Sequence, residues 1–202
     1  PYGIAEVFCN FSPLAELPPR RAIFTSNPLR SLDWLLDLWQ RDIYPHAPNA
    51  ELHLFSGAVT YGSVGAAKAR EMEAILDKAR GLKNQGVVLR GPVPKSELIE
   101  EFRKSRVMLY KGDLNETFCL AVGEAQAVGV PAVVQKLGSV VERVINGKTG
   151  AITNTDREFA SSAINLLNDD DLWRGQHKAA IEAQGVWGWS QAAQAFEELI
   201  PE

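Results

Sequence analysis

Two cysteines and three histidines are all that this 202-residue chain carries of the softer metal and redox ligands. Cys9 and Cys119 show no CxxC spacing, which excludes a disulfide framework and fits a reducing, cytoplasmic setting. His46, His53 and His177 are scattered without ligand spacing, so no metal is expected. Positive charge is not in excess either. With a net charge of −4, neither nucleic acid nor an anionic membrane is expected as the main partner. No apolar run reaches the ~18 residues of a transmembrane helix. The opening residues PYGIAEVF lack the basic and apolar regions of a signal peptide. Repeats and low-complexity segments are missing too. Gly147-Lys148-Thr149 ends like a phosphate-binding P-loop, but Glu142 stands where that motif needs its first glycine. No GxGxxG follows the first strand, which argues against a nicotinamide-dependent dehydrogenase.

What is present is a core. Hydrophobic residues make up 46% of the chain, enough for one large domain or two small ones. Residues 1–20, broken by Pro13, Pro18 and Pro19, read as an irregular lead-in or linker, and 21–202 as the domain. Strands are expected at Ala22–Ser26, Glu51–Ser56, Val87–Leu89, Arg106–Tyr110, Ala132–Val134 and Ala151–Ile152. Helices alternate with them: one capped by Ser31, with Leu32, Leu35, Leu36 and Trp39 on its apolar face, and one from about Ala66 to Arg80. A loop at Tyr61, Gly62 and Gly65 precedes the second. Such alternation predicts an α/β fold, a Rossmann-like, doubly wound parallel sheet covered on both faces. A helical C-terminal extension follows, with helices at Arg157–Leu167 and Leu172–Ala183 and a last one ending at Ile200. The acidic run from Asn168 to Asp171 reads as a helix cap, and Trp187 and Trp189 as packing anchors.

The densest stretch is Glu116 to Val134, ETFCLAVGEAQAVGVPAVV. It predicts a helix from Phe118 to Val128, ended by Gly129 and Pro131, and then a buried strand. The helix start places unpaired N–H groups of Phe118, Cys119 and Leu120 at the positive end of the helix dipole, a ready phosphate site. Glu116 lies just outside it, and Glu124 roughly 9 Å along the axis from Phe118. A diphosphate flanked by hydroxyl-bearing groups fits that arrangement, since a carboxylate accepts hydroxyl hydrogen bonds. The residues alone also allow Glu116 to be a helix-start charge and Glu124 to sit on an exposed face. Against the second, Glu124 lies among Ala121, Val122, Ala125 and Ala127.

This stretch resembles the E-x7-E signature of the group 1 retaining glycosyltransferases, and specifically the donor-binding C-terminal half of their two-domain GT-B fold. The resemblance spans the chain. PYGIAEVF resembles the segment joining the two halves. RGPVPKSEL resembles a turn whose backbone reads the nucleotide base, here Gly91 and Val93. LGSVVERVINGKTGAI matches a second family motif, with Glu142 at its glutamate. By resemblance, Glu116 contacts the transferred sugar, Glu124 the ribose, and the amides of Phe118, Cys119 and Leu120 the diphosphate. Arg30 stands where the family carries a diphosphate-neutralising lysine. Thr25 and Ser26 occupy the region of a further family arginine, so Lys111 is expected to help Arg30. Cys119 replaces the usual glycine. The implied ligand is a nucleotide-diphosphate sugar bound without metal or other cofactor. The implied partner is an N-terminal acceptor-binding domain, and the implied place is the cytoplasm, free or at the inner face of a membrane. A non-catalytic nucleotide-binding or interaction module of the same fold is the alternative.

Overall fold

A computed structural model describes residues 2–57, 68–185 and 187–199. The loop expected at Tyr61, Gly62 and Gly65, the start of the helix expected from Ala66, and the chain end at Ile200 lie outside the described residues.

Six strands form one sheet: β1 (Arg21–Phe24), β2 (Glu51–Leu54), β3 (Val87–Leu89), β4 (Val107–Tyr110), β5 (Ala132–Gln135) and β6 (Gly150–Thr153). All pair in parallel, in the order β3-β2-β1-β4-β5-β6. β4 is buried throughout, and β1, β2 and β5 over three residues of four. Such continuous apolar strands suit a sheet shielded on both sides. The expected doubly wound, Rossmann-like α/β fold is therefore what forms.

Among the described residues the α-helices are α1 (Leu32–Leu38), α2 (Ala69–Gly81), α3 (Lys95–Arg103), α4 (Leu120–Ala127), α5 (Asp156–Asn168), α6 (Asp170–Gln184) and α7 (Trp189–Glu197). Right-handed crossovers put α1 and α2 on one face of the sheet and α3 and α4 on the other. α5 returns to the first face, where Phe159 meets Trp34 edge-on. α6 covers α4 from outside. Asp169 caps α6 as expected, its Oδ1 accepting from the N–H groups of Asp171 and Leu172.

Two local expectations are corrected. Ser31 precedes α1 but takes a left-handed conformation, φ 62°, and makes no side-chain cap. The turn before it is held instead by Asn27, whose Oδ1 accepts from the Leu29 N–H. α4 begins at Leu120 rather than Phe118, because Cys119 is also left-handed, φ 58°, and turns the chain into the helix. Its end is as read: Gly129 has φ 94°.

The lead-in packs onto the domain. Ile4 and Phe8 are fully buried. The Ile4 N–H donates to Trp187 O, and Ile4 reaches the bare backbone of Gly123 in α4. Trp187 Nε1 donates to Tyr2 O, and Trp189 meets the Tyr2 ring edge-on, half-exposed.

Candidate active site

In the strand order found here, successive strands are added in opposite directions on either side of the seam between β1 and β4. Crossovers leave those two strands toward opposite faces, so their carboxyl ends diverge and open a crevice. A cleft of ≈ 740 Å³ lies there, lined by Thr25, Ser26, Arg30, Tyr110, Glu116, Phe118 and Cys119, and by Leu120, Ala121 and Glu124 of α4, among others. A smaller cavity of ≈ 200 Å³ adjoins it and shares Thr25, Ser26, Lys95 and Glu124 as a common wall. Its far side is mostly apolar: Phe55, Pro92, Val93 and Leu98.

Glu116 sits in the loop after β4. Its Oε2 accepts a hydrogen bond of 2.6 Å from the Tyr110 hydroxyl and lies 3.6 Å from Arg30 Nη1. Burial, more than the Glu116 carboxylate beside it, raises the Tyr110 phenol above its ordinary 10, so the hydroxyl stays a donor. Arg30 Nη1 is also 3.1 Å from Asp113 Oδ1, yet this buried nitrogen makes no aligned hydrogen bond among the described residues. The Glu116 loop rests on the second motif. A Cβ at Gly138 would stand 2.1 Å from Asp113 O, and the Ser139 N–H points to Glu116 O. Glu142, in the same motif, is solvent-exposed.

Glu124 is buried, as its apolar surroundings implied, and one oxygen accepts from Lys95 Nζ at 2.5 Å. Between the two carboxylates run the first N–H groups of α4. The shifted helix start makes these Leu120, Ala121 and Val122, while those of Phe118 and Cys119 belong to the loop beside the cleft. Phe118 is wedged between the Tyr2 ring, 5.5 Å away edge-on, and the Arg143 guanidinium, 4.3 Å over its face. The Cys119 thiol is pushed up to about 12, mainly by burial, and is no nucleophile at neutral pH.

Glu116, Arg30, Glu124, Phe118, Cys119 and Leu120 thus share one cleft, and Val93 lines its annex. Two expected residues stand apart. Lys111 turns toward α1, its Nζ 4.7 Å from the Trp34 ring centroid, because β4 alternates its side chains and presents Tyr110, not Lys111, to the cleft. Gly91 (φ 73°) forms the turn before Val93, in open space. Tyr110, Lys95 and Asp113 were missed. Their only signal was position: the end of a strand, the start of a helix, and a loop three residues before Glu116. Among the described residues no cluster of three or more His, Cys, Asp or Glu side chains is arranged to hold a metal ion.

Comparison with known proteins agrees with this architecture. Residues 21–169 match the family model described as glycosyl transferases group 1. The D-inositol 3-phosphate glycosyltransferase of Corynebacterium diphtheriae is 31% identical over 140 residues, covering 68% of this chain and 32% of that protein. The chain therefore spans about a third of the length of the curated relatives it matches. Among solved structures, sucrose-phosphate synthase from Thermosynechococcus elongatus superposes with a TM-score of 0.72 at 22% identity, over 98% of this chain and 51% of that one. Anabaena HepE, solved with UDP and glucose, does so with a TM-score of 0.72 at 15% identity, over 97% and 55%. These likenesses are of fold, one Rossmann-like half of a GT-B enzyme. A parallel sheet in this order, with two glutamates eight positions apart at its switch point and a family match over most of the domain, places the chain among the group 1 glycosyl transferases.

Proposed function

We propose that this chain is the donor-binding domain of a retaining, metal-independent glycosyltransferase that takes a nucleotide-diphosphate sugar and transfers a hexose. One observation carries the reading: Glu116 and Glu124 line the same cleft from either end of a helix start. The annex around Val93 suits a flat base, Glu124 the ribose hydroxyls, and the α4 amides with Arg30 the diphosphate. Glu116 then meets the sugar. Cleavage at the anomeric carbon leaves negative charge on the diphosphate. Fixed N–H dipoles and the Arg30 guanidinium stabilise that charge without reorganising. The Tyr110 hydroxyl holds one oxygen of Glu116, leaving the other to orient the sugar.

The acceptor belongs to an N-terminal domain of a longer protein, so this chain is expected to bind donor and transfer nothing alone. HepE was solved with UDP, which makes UDP the first ligand to try. The test is titration calorimetry with UDP, GDP and ADP. Binding of one of them, lost in Glu124→Ala and weakened about tenfold or more in Arg30→Ala, supports the reading. Arg30 is already shared between Asp113 and Glu116, which favours a second reading, a non-catalytic module of the same fold. No binding to any nucleotide would select it.

A further inference from the structure

Lys95 is the side chain that the reading above leaves without a task, and it stands at the junction of the two cavities. It opens α3, directly after the turn that carries Val93. Its ammonium lies 2.5 Å from Glu124 Oε1 and 5.4 Å from the Phe8 ring centroid. The two partners are unequally buried, with 9% of the Glu124 side chain exposed and 57% of Lys95. Lys95 is also the partner that the described hydrogen bonds give the Glu124 carboxylate. A desolvated carboxylate resists losing its cation, whereas an exposed ammonium on a four-carbon stem moves at little cost.

We propose that Lys95 is a specificity-determining residue that makes nucleoside binding conditional on the diphosphate; this rests on the proposed donor site. Its ammonium occupies an oxygen of the carboxylate that the ribose hydroxyls need. A ribose that takes Glu124 displaces the ammonium. A nucleoside offers that cation nothing in exchange. A nucleoside diphosphate brings its own anion into the same cleft, where Lys95 already forms part of the wall. The same lysine thus opposes the nucleoside and favours the diphosphate. A residue that only supported the fold would shift both affinities in one direction.

The experiment compares uridine with UDP, guanosine with GDP and adenosine with ADP by calorimetry, on the whole chain. Lys95→Met is expected to raise nucleoside affinity about threefold and lower diphosphate affinity about tenfold, collapsing their ratio. Lys95→Arg, which keeps the cation, is expected to retain most of that ratio. Should Lys95→Met not fold, Lys95→Gln serves, since it leaves Glu124 a neutral donor and still removes the charge. An unchanged ratio in the charge-free variant, or both affinities falling together, overturns the proposal while leaving the donor site intact. Failure of the unaltered chain to bind any of the three diphosphates overturns the donor site itself, and this proposal with it.

Discussion

Tyr110 and Cys119 show how single residues set the site. The Tyr110 hydroxyl holds one oxygen of Glu116, so Tyr110→Phe removes a donor without touching the nucleotide end of the cleft. On the proposed donor site, its affinity for the nucleoside diphosphate should match the unaltered chain, while the added affinity of the corresponding nucleotide sugar should fall about tenfold, the worth of one hydrogen bond to a charged group. Calorimetry with the two ligands reads the difference. Cys119 has φ 58°, where a side chain is strained and glycine is not. The resemblance had already marked this position as a usual glycine, and the backbone shows why. Cys119→Gly trades a buried thiol for relief of strain and should stay within about 1 kcal/mol of the unaltered chain, whereas Cys119→Val should lose about 2 kcal/mol or more in urea unfolding. Both carboxylates were legible because the signature binds them to a helix start. Tyr110 and Lys95 were not, because hydrogen bonding across a sheet end leaves no trace in local spacing.

Elements were legible to within a few residues where their signals are local. Val87–Leu89 forms β3 as read, and the other strands shift by at most two residues at either end. The start of α4 was misread because cysteine carries no turn signal, although here it turns the chain as glycine would. α4 itself is buried from Val122 to Ala127, between β4 and β5 on one side and α6 on the other. Small residues permit that double contact. Its exit is equally tight: a Cβ at Gly129 would lie 2.3 Å from His177 Cε1, at φ 94°. Gly129→Ala combines backbone strain with a clash and should cost about 3 kcal/mol or more, seen as a lowered midpoint of urea unfolding with unchanged slope.

On the scale of the whole molecule, His177 ties distant parts together. Its Nε2 accepts from the Leu14 N–H at 2.8 Å, its Nδ1–H donates to Gly129 O at 2.5 Å, and its ring stacks on Trp173. This is a neutral imidazole joining the lead-in, α4 and α6. Burial lowers its pKa from 6.5, and Arg103 and Arg174 add to that. His53 is lowered as well, chiefly by burial, against the opposing pull of Glu51. A depressed histidine pKa means that the unfolded chain binds more protons, so stability rises with pH across this window. Stability is full above about 6.5 and is lost as pH falls from there toward the lower folded values. Urea midpoints should therefore drop between about pH 7.5 and pH 5.5, and His177→Gln should flatten that drop while lowering stability at the upper end. A midpoint that does not change with pH would contradict it.

The alternation of strand and helix and the turns at Gly129 and Pro131 follow from the sequence by itself, because each depends on near neighbours along the chain. Which donor reaches which acid does not. Arg30, Tyr110 and Lys95 come from the ends of two strands and the start of a third crossover. Only the parallel register and the reversal of strand order between β1 and β4 bring them to one cleft. The same sheet geometry turns Lys111 away, and contacts across many residues bury Ile4 and Phe8 of the lead-in, since both are fixed by packing rather than by local preference.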